Sequence, residues 1–207
     1  MSLVHRVREV EAPQGDLVLL HGRGADEHDL WDLFDVLDPD RRLRGITVGG
    51  PLRLPPGGKH WYVVPRVGFP DHDTFHASYA ALGDLLDREL ALDWSRTVVG
   101  GFSQGTVMSY ALGLGAGRPV PAGIMALSGF VPTVDGWSAD LAERAGLPVM
   151  IAHGAADPII SAEFGRTARD TLEAAGLEVT YRESPVPHTI DPRAIPDLQA
   201  WLAERAR

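Results

Sequence analysis

The chain has 207 residues, a formal net charge of −9, no cysteine, and a composition that is 44% hydrophobic and 23% charged. That length suits one large domain with a substantial core, and the composition is ordinary for a soluble globular protein. The acidic balance argues against a nucleic-acid partner, which needs a basic face, and the missing cysteine excludes disulfides, a thiol nucleophile and thiolate zinc sites.

The N-terminal stretch Met1-Ser2-Leu3-Val4-His5-Arg6 has no apolar h-region, so no signal peptide is expected and the expected location is cytoplasmic. No apolar run is long enough for an integral membrane segment. The first strand candidate is Asp16-Leu17-Val18-Leu19-Leu20, and a second, shorter one is Gly45-Ile46-Thr47-Val48. Residues 49–58 are rich in proline and glycine and read as a loop. Phe75, Tyr79, Leu82, Leu86 and Leu90 fall near helical spacing and predict an amphipathic helix over 75–90. Thr97-Val98-Val99 reads as a buried strand, followed by helix-compatible residues over 106–114. Strands follow at 123–127 and 147–152, with a short helix expected around 138–145 between them. Phe164, Ala168, Leu172 and Ala175 mark another helix, with Ser161 as N-cap and Gly176 as C-terminal stop. A last strand is expected at 179–182 and a closing helix around 198–202. Asp191-Pro192 would cap that closing helix, whereas Pro196 falls close to its start. Strands alternating with helices predict a mostly parallel sheet covered on both faces. No polar linker or internal repeat divides the chain, so 1–207 is read as a single domain.

Gly101-Phe102-Ser103-Gln104-Gly105 matches Gly-x-Ser-x-Gly, the sharp strand-to-helix turn that presents a nucleophilic serine. The strand before it and the helix after it are the setting this turn needs. A serine hydroxyl is a weak nucleophile without a base, and the base needs an orienting acid. In this fold the acid and then the histidine follow the serine. Asp157, in His153-Gly154-Ala155-Ala156-Asp157, comes just after one strand, and His188, in Pro185-Val186-Pro187-His188, just after the last. Each residue alone suits a turn or a surface. Jointly and in this order they form a candidate triad of Ser103, Asp157 and His188. Oxyanion donors are expected from the backbone N–H of Gln104 and from the loop His21-Gly22-Arg23-Gly24, through the N–H of Arg23 with Gly22 and Gly24 shaping the turn. His21 precedes the nucleophile, the wrong order for the catalytic base, and is read as fixing this loop.

The blocks Leu20-His21-Gly22-Arg23-Gly24-Ala25-Asp26-Glu27, Gly101-Phe102-Ser103-Gln104-Gly105, Leu127-Ser128-Gly129-Phe130 and His153-Gly154-Ala155-Ala156-Asp157 together resemble the phospholipase/carboxylesterase family. These are small α/β-hydrolases related to the acyl-protein thioesterases. The resemblance implies a single-domain α/β-hydrolase fold without a large lid, the triad and oxyanion donors named above, and no cofactor. It implies hydrolysis of small-molecule carboxylic esters, with thioesters and lysophospholipids also within reach. Pro187 stands where relatives often have glycine. Arg23 stands where thioesterases tend to carry an apolar residue, which argues against a lipidated-protein substrate.

Trp61, Tyr62 and Phe130 are candidate pocket residues, with plain packing as the competing reading of the first two. His72 and His76 share a helix face with Asp71 and Asp73 nearby. A metal site wants a third or fourth ligand, so these histidines are read as a solvated helix start capped by Asp73, and no metal is expected. An acyltransferase using the same triad and a non-catalytic binding module on the same fold remain alternatives. The sequence leaves the oligomeric state, including a homodimer, open.

Overall fold

The computed structural model describes residues 3–205. Met1 and Ser2, part of the stretch searched for an h-region, and the last two positions of the 1–207 span lie outside the described residues. The chain builds a seven-stranded sheet from β1 (His5–Arg8), β2 (Gly15–Leu20), β3 (Leu43–Val48), β6 (Thr97–Phe102), β7 (Gly123–Leu127), β8 (Pro148–Gly154) and β9 (Glu178–Ser184). Between β3 and β6 lies a two-residue hairpin pair, β4 (Leu52–Arg53), inside the segment 49–58 expected to be loop, and β5 (Lys59–His60), just past it. The order across the large sheet is β1-β3-β2-β6-β7-β8-β9. Only the edge strand β1 runs antiparallel; every other neighbour pair is parallel.

Apolar runs become strands here because both faces of a parallel sheet are covered. All six residues of β2 are buried, and alternate side chains serve opposite faces. Val18 and Leu20 join a core with α2 (His72–Asp84), α3 (Gln104–Leu114) and α4 (Ala162–Ala174). Leu17 and Leu19 join the opposite core, with Phe34 of α1 (Leu33–Leu37) and Trp201 of α5 (Ile195–Ala203). Helix α3 is buried along its whole length. The expected caps of α4 are present: Ser161 accepts from the N–H of Glu163, and Gly176 turns the chain at φ +84°. The two prolines near α5 are both accommodated. Asp191 caps a 3-10 turn at Pro192–Ala194, and Pro196 sits in the first turn of α5, where an N–H has no intrahelical partner.

Three expectations are corrected. The helix expected over 75–90 starts at His72, and its cap is Asp71, not Asp73: Asp71 accepts from the N–H of Thr74 at 3.1 Å. Its end widens into a π turn at Leu85–Glu89, where the Leu90 N–H bonds the Leu85 carbonyl at 2.9 Å. The wider turn accompanies burial of both Leu85 and Leu86, adjacent residues that an ordinary helix directs to different angles. The helix expected around 138–145 is absent except for a 3-10 turn at Ala142–Arg144. That segment instead lies along the end of α3, with the Ala116 N–H on the Ser138 carbonyl and the Asp140 N–H on the Leu114 carbonyl.

Arg144 explains why. It is 3% exposed. Its guanidinium donates to the carbonyls of Gly113 (2.8 Å), Gly115 (3.0 Å) and Arg118 (2.8 Å), satisfying acceptors that a helix C-terminus leaves open. Replacing Arg144 with methionine should lower the unfolding free energy by about 2–4 kcal/mol, because buried carbonyls lose charged partners. Urea denaturation of the two proteins measures the difference.

Candidate active site

Because β2, β6, β8 and β9 are parallel, their carboxyl ends share one edge of the sheet. Each of these ends leads into a loop that carries a candidate residue. At the end of β6 the chain turns sharply, and Ser103 adopts φ +56°, ψ −116°, a conformation rare outside glycine. Its N–H is held by the Leu127 carbonyl at 2.9 Å. A methyl group on Gly105 would overlap the carbonyl of Leu20 at the end of β2, and one on Gly101 would lie 2.6 Å from the same oxygen. Both glycines of the motif are therefore required by close backbone approach.

Ser103 Oγ lies 3.0 Å from His188 Nε2, and His188 Nδ1 lies 2.6 Å from Asp157 Oδ2. A carboxylate only accepts, so Nδ1 carries the imidazole proton and Nε2 is free to accept from the serine hydroxyl. The other carboxylate oxygen of Asp157 accepts the N–H groups of Ile159 and Ile160, each at 2.8 Å. Burial alone would raise the Asp157 pKa. The His188 bond and the Ile160 and Ile159 N–H groups more than offset it, holding the carboxyl below its ordinary range. The two loops are stitched together: Ala155 N–H bonds the Ser184 carbonyl at 2.7 Å, and Ala156 N–H bonds that of Val186 at 3.2 Å. Pro187 closes the histidine loop through its carbonyl, which accepts from Thr189 at 2.8 Å. His153, buried, donates from Nε2 to the Ile160 carbonyl at 2.9 Å and so braces the same turn.

The loop after β2 lies against Ser103. A methyl on Gly22 would stand 3.4 Å from Ser103 Cβ. Gly24, at φ +88°, ties the loop to β5 by donating to the Lys59 carbonyl at 2.8 Å. His21 is buried under this loop and held at both nitrogens: Nδ1 donates to the Gly22 carbonyl at 2.7 Å, and Nε2 accepts from Gly50 at 2.9 Å. Among the described residues, the backbone N–H groups of Arg23 and Gln104 have no backbone acceptor.

A cavity of about 340 Å³ opens beside Ser103, with Arg23, Gln104, Tyr62 and Phe130 in its wall. Trp61 does not line it. The indole is fully buried, donates to the His21 carbonyl at 2.9 Å and lies 5.1 Å from the His21 ring. A buried indole needs a partner for its N–H, and the His21 carbonyl supplies one. The neighbouring Tyr62 faces the cavity instead. Sequence reasoning also passed over the Gln104 side chain, which accepts from Trp61 N–H at 3.0 Å and donates to the Tyr62 carbonyl at 2.9 Å. It passed over Arg66 and Ile160 in the cavity wall as well. Nothing local in the sequence marks these residues, because their partners lie far along the chain.

The rings of His72 and His76 are 4.6 Å apart, but His76 Nε2 is 2.8 Å from the Asp135 carbonyl and His72 Nδ1 is 2.7 Å from Asp73. Among the described residues, no three His, Asp or Glu side chains are grouped to hold a metal ion. No helix among them is long and apolar enough to cross a membrane.

The phospholipase/carboxylesterase family model matches residues 5–205. The chain belongs to that family. Acyl-protein thioesterase 1 of Debaryomyces hansenii is 28% identical over 182 residues, covering 83% of this chain and 76% of its own. The protein of the same name from Emericella nidulans is 34% identical over 190 residues, covering 84% and 77%. Among solved structures, the Bacillus cereus carboxylesterase superimposes with a TM-score of 0.84 at 23% identity, covering 98% of this chain and 94% of its own. That likeness establishes the α/β-hydrolase fold, with no large separate domain.

The pKa of His21 is lowered, chiefly by burial, with the Gly22 carbonyl pulling the other way. An unfolded histidine titrates near ~6.5. The folded chain resists that proton, so the stabilising contribution is complete above ~6.5 and is lost as pH falls toward the lower folded value. The unfolding free energy should therefore fall from pH 7 to pH 5, and His21→Gln should flatten the slope. Parallel urea titrations across that range give both slopes.

Proposed function

We propose that this chain is a serine hydrolase of carboxylic esters or thioesters that works through an acyl-enzyme on Ser103. The observation that carries the reading is the unbroken chain from Ser103 Oγ to His188 to the buried carboxylate of Asp157, at 3.0 Å and 2.6 Å. Family membership and the names of the relatives support ester or thioester cleavage as the reaction class.

In the first half-reaction, Ser103 Oγ attacks the carbonyl carbon as its proton passes to His188 Nε2. The carbonyl oxygen takes the electron pair and becomes the oxyanion. The N–H groups of Arg23 and Gln104 are assigned to receive it, Gln104 from the first turn of α3, where the helix dipole favours negative charge. The intermediate collapses, the bond to the leaving oxygen or sulfur breaks, and His188 returns its proton to that atom. In the second half, water attacks the acyl carbon, gives its proton to His188, and the serine hydroxyl is restored as the acid leaves. Asp157 keeps the imidazole in the tautomer that both halves need. No step calls on a cofactor.

A fluorophosphonate probe should label the protein once, on Ser103. Ser103→Ala should abolish labelling and lower kcat by up to about 10⁶, while Asp157→Asn lowers it by roughly 10⁴. Label on Ser109 or Ser128, or full activity in Asp157→Asn, would discard the assignment. Absence of any turnover with intact folding would favour a binding module, and ester products formed with an alcohol acceptor would favour acyl transfer.

The cavity, at about 340 Å³, is at the small end of ligand sites. Each buried methylene contributes about 0.8 kcal/mol, and that gain stops once the chain emerges past the exposed Val64, Val67 and Ile159. Across nitrophenyl esters from acetate to palmitate, kcat/KM should peak at short to medium acyl chains, with no rise at the micelle threshold. A steady climb to palmitate would require a deeper acyl channel.

A further inference from the structure

Two arginines, Arg23 and Arg66, line the cavity that holds Ser103. Elsewhere in this chain, arginines are mostly matched to carboxylates: Arg8 to Asp38, Arg44 to Asp16, Arg118 to Asp87, Arg166 to Glu183. Among the described residues, Arg23 and Arg66 have no carboxylate within ion-pairing distance. Among the described residues, no aspartate or glutamate lines the cavity either. In a chain of net charge −9, a cleft walled by two unmatched cations and no anion is a local reversal of sign.

Arg66 is held without being neutralised. Arg66 lies over the Phe69 ring at 3.7 Å, and the Phe69 N–H bonds the Arg66 carbonyl at 3.0 Å. Stacking on a ring face restrains a guanidinium while leaving its in-plane N–H donors open. The backbone at Arg23 is fixed from both sides, by His21 on Gly22 and by Gly24 on Lys59. A guanidinium fork matches the planar oxygens of a carboxylate or phosphate. Val64, Val67 and Phe130 supply an apolar wall for a short carbon segment.

We propose that the cavity selects esters or thioesters that carry a second, anionic oxygen group, a carboxylate or phosphate held by Arg23 and Arg66. This substrate class rests on the serine hydrolase reading of the same site. The anion is carried by either the acyl or the alcohol portion, and matched substrate pairs separate the two.

The acyl arm compares nitrophenyl hemiglutarate with nitrophenyl pentanoate. The alcohol arm compares the butyryl ester of glycerol 3-phosphate with that of glycerol. At low ionic strength kcat/KM should favour the anionic member about tenfold or more in one arm, mainly through KM. The preference should shrink as salt screens the charges. Arg66→Gln and Arg23→Gln should each reduce the anionic-to-neutral ratio about fivefold, with partial recovery in Arg66→Lys. Equal or better use of the neutral member in both arms overturns the proposal and leaves the serine hydrolase reading standing. A ratio unchanged in both glutamine variants also overturns it. Calorimetric titration of glutarate into the wild-type protein tests the anion site without turnover. Binding tighter than about 1 mM that weakens in Arg66→Gln supports the proposal, and no binding counts against it. Failure of fluorophosphonate labelling, by contrast, strikes the hydrolase reading itself.

Discussion

The start of α3 sits so close to the end of β2 that no side chain fits between them. The Leu20 carbonyl occupies the space that a methyl on Gly105 would need, and it crowds Gly101 from the same side. This contact fixes where the elbow stands against the sheet edge. It brings the first turn of α3 up to the loop at 21–24, so that two backbone N–H groups without backbone acceptors belong to neighbouring elements. The left-handed conformation of Ser103 follows from the same geometry and costs of order 1–3 kcal/mol, which a wholly buried α3 can sustain.

The remaining residues of the site reach Ser103 because the strands that carry them are parallel. Asp157 and His188 lie 31 positions apart, yet β8 and β9 end side by side. Backbone bonds from Ala155 and Ala156 then lock the two loops into one unit. A buried carboxylate with three hydrogen bonds is a rigid anchor, and its lowered pKa reflects those bonds prevailing over burial. Electrostatics near the site are thus divided: one negative charge is sunk behind the histidine, and two arginines line the open cavity.

Hydrogen bonds between distant segments hold the loop at 21–24. His21, Gly50, Trp61, Ser78, Tyr62 and Gln104 form a continuous buried network beneath it. Such a network rigidifies only when every member is satisfied. The aromatic residue at position 61 belongs to this support, which explains why its neighbour Tyr62, and not Trp61, meets the cavity.

Local patterns made the main strands legible: apolar runs such as Leu17–Leu20 have one use in a sheet covered on both sides. The same holds for the glycine-flanked serine, the capping Ser161 and Gly176, and the chain order of Ser103, Asp157 and His188. Each of those signals lies within a few residues, or rests on an order that the fold imposes. The sequence alone could not reveal β1, whose four residues include one apolar side chain, nor the five-residue α1. It also misread 138–145, where helix-compatible residues are drawn out along α3 because Arg144 is needed at that helix's carbonyl end. Tertiary structure decided these points, and it decided that Arg23 and Arg66 share one cavity. Periodicity reports which face of an element is buried; it carries no record of which polar partner, 30 or 40 residues away, a side chain will meet.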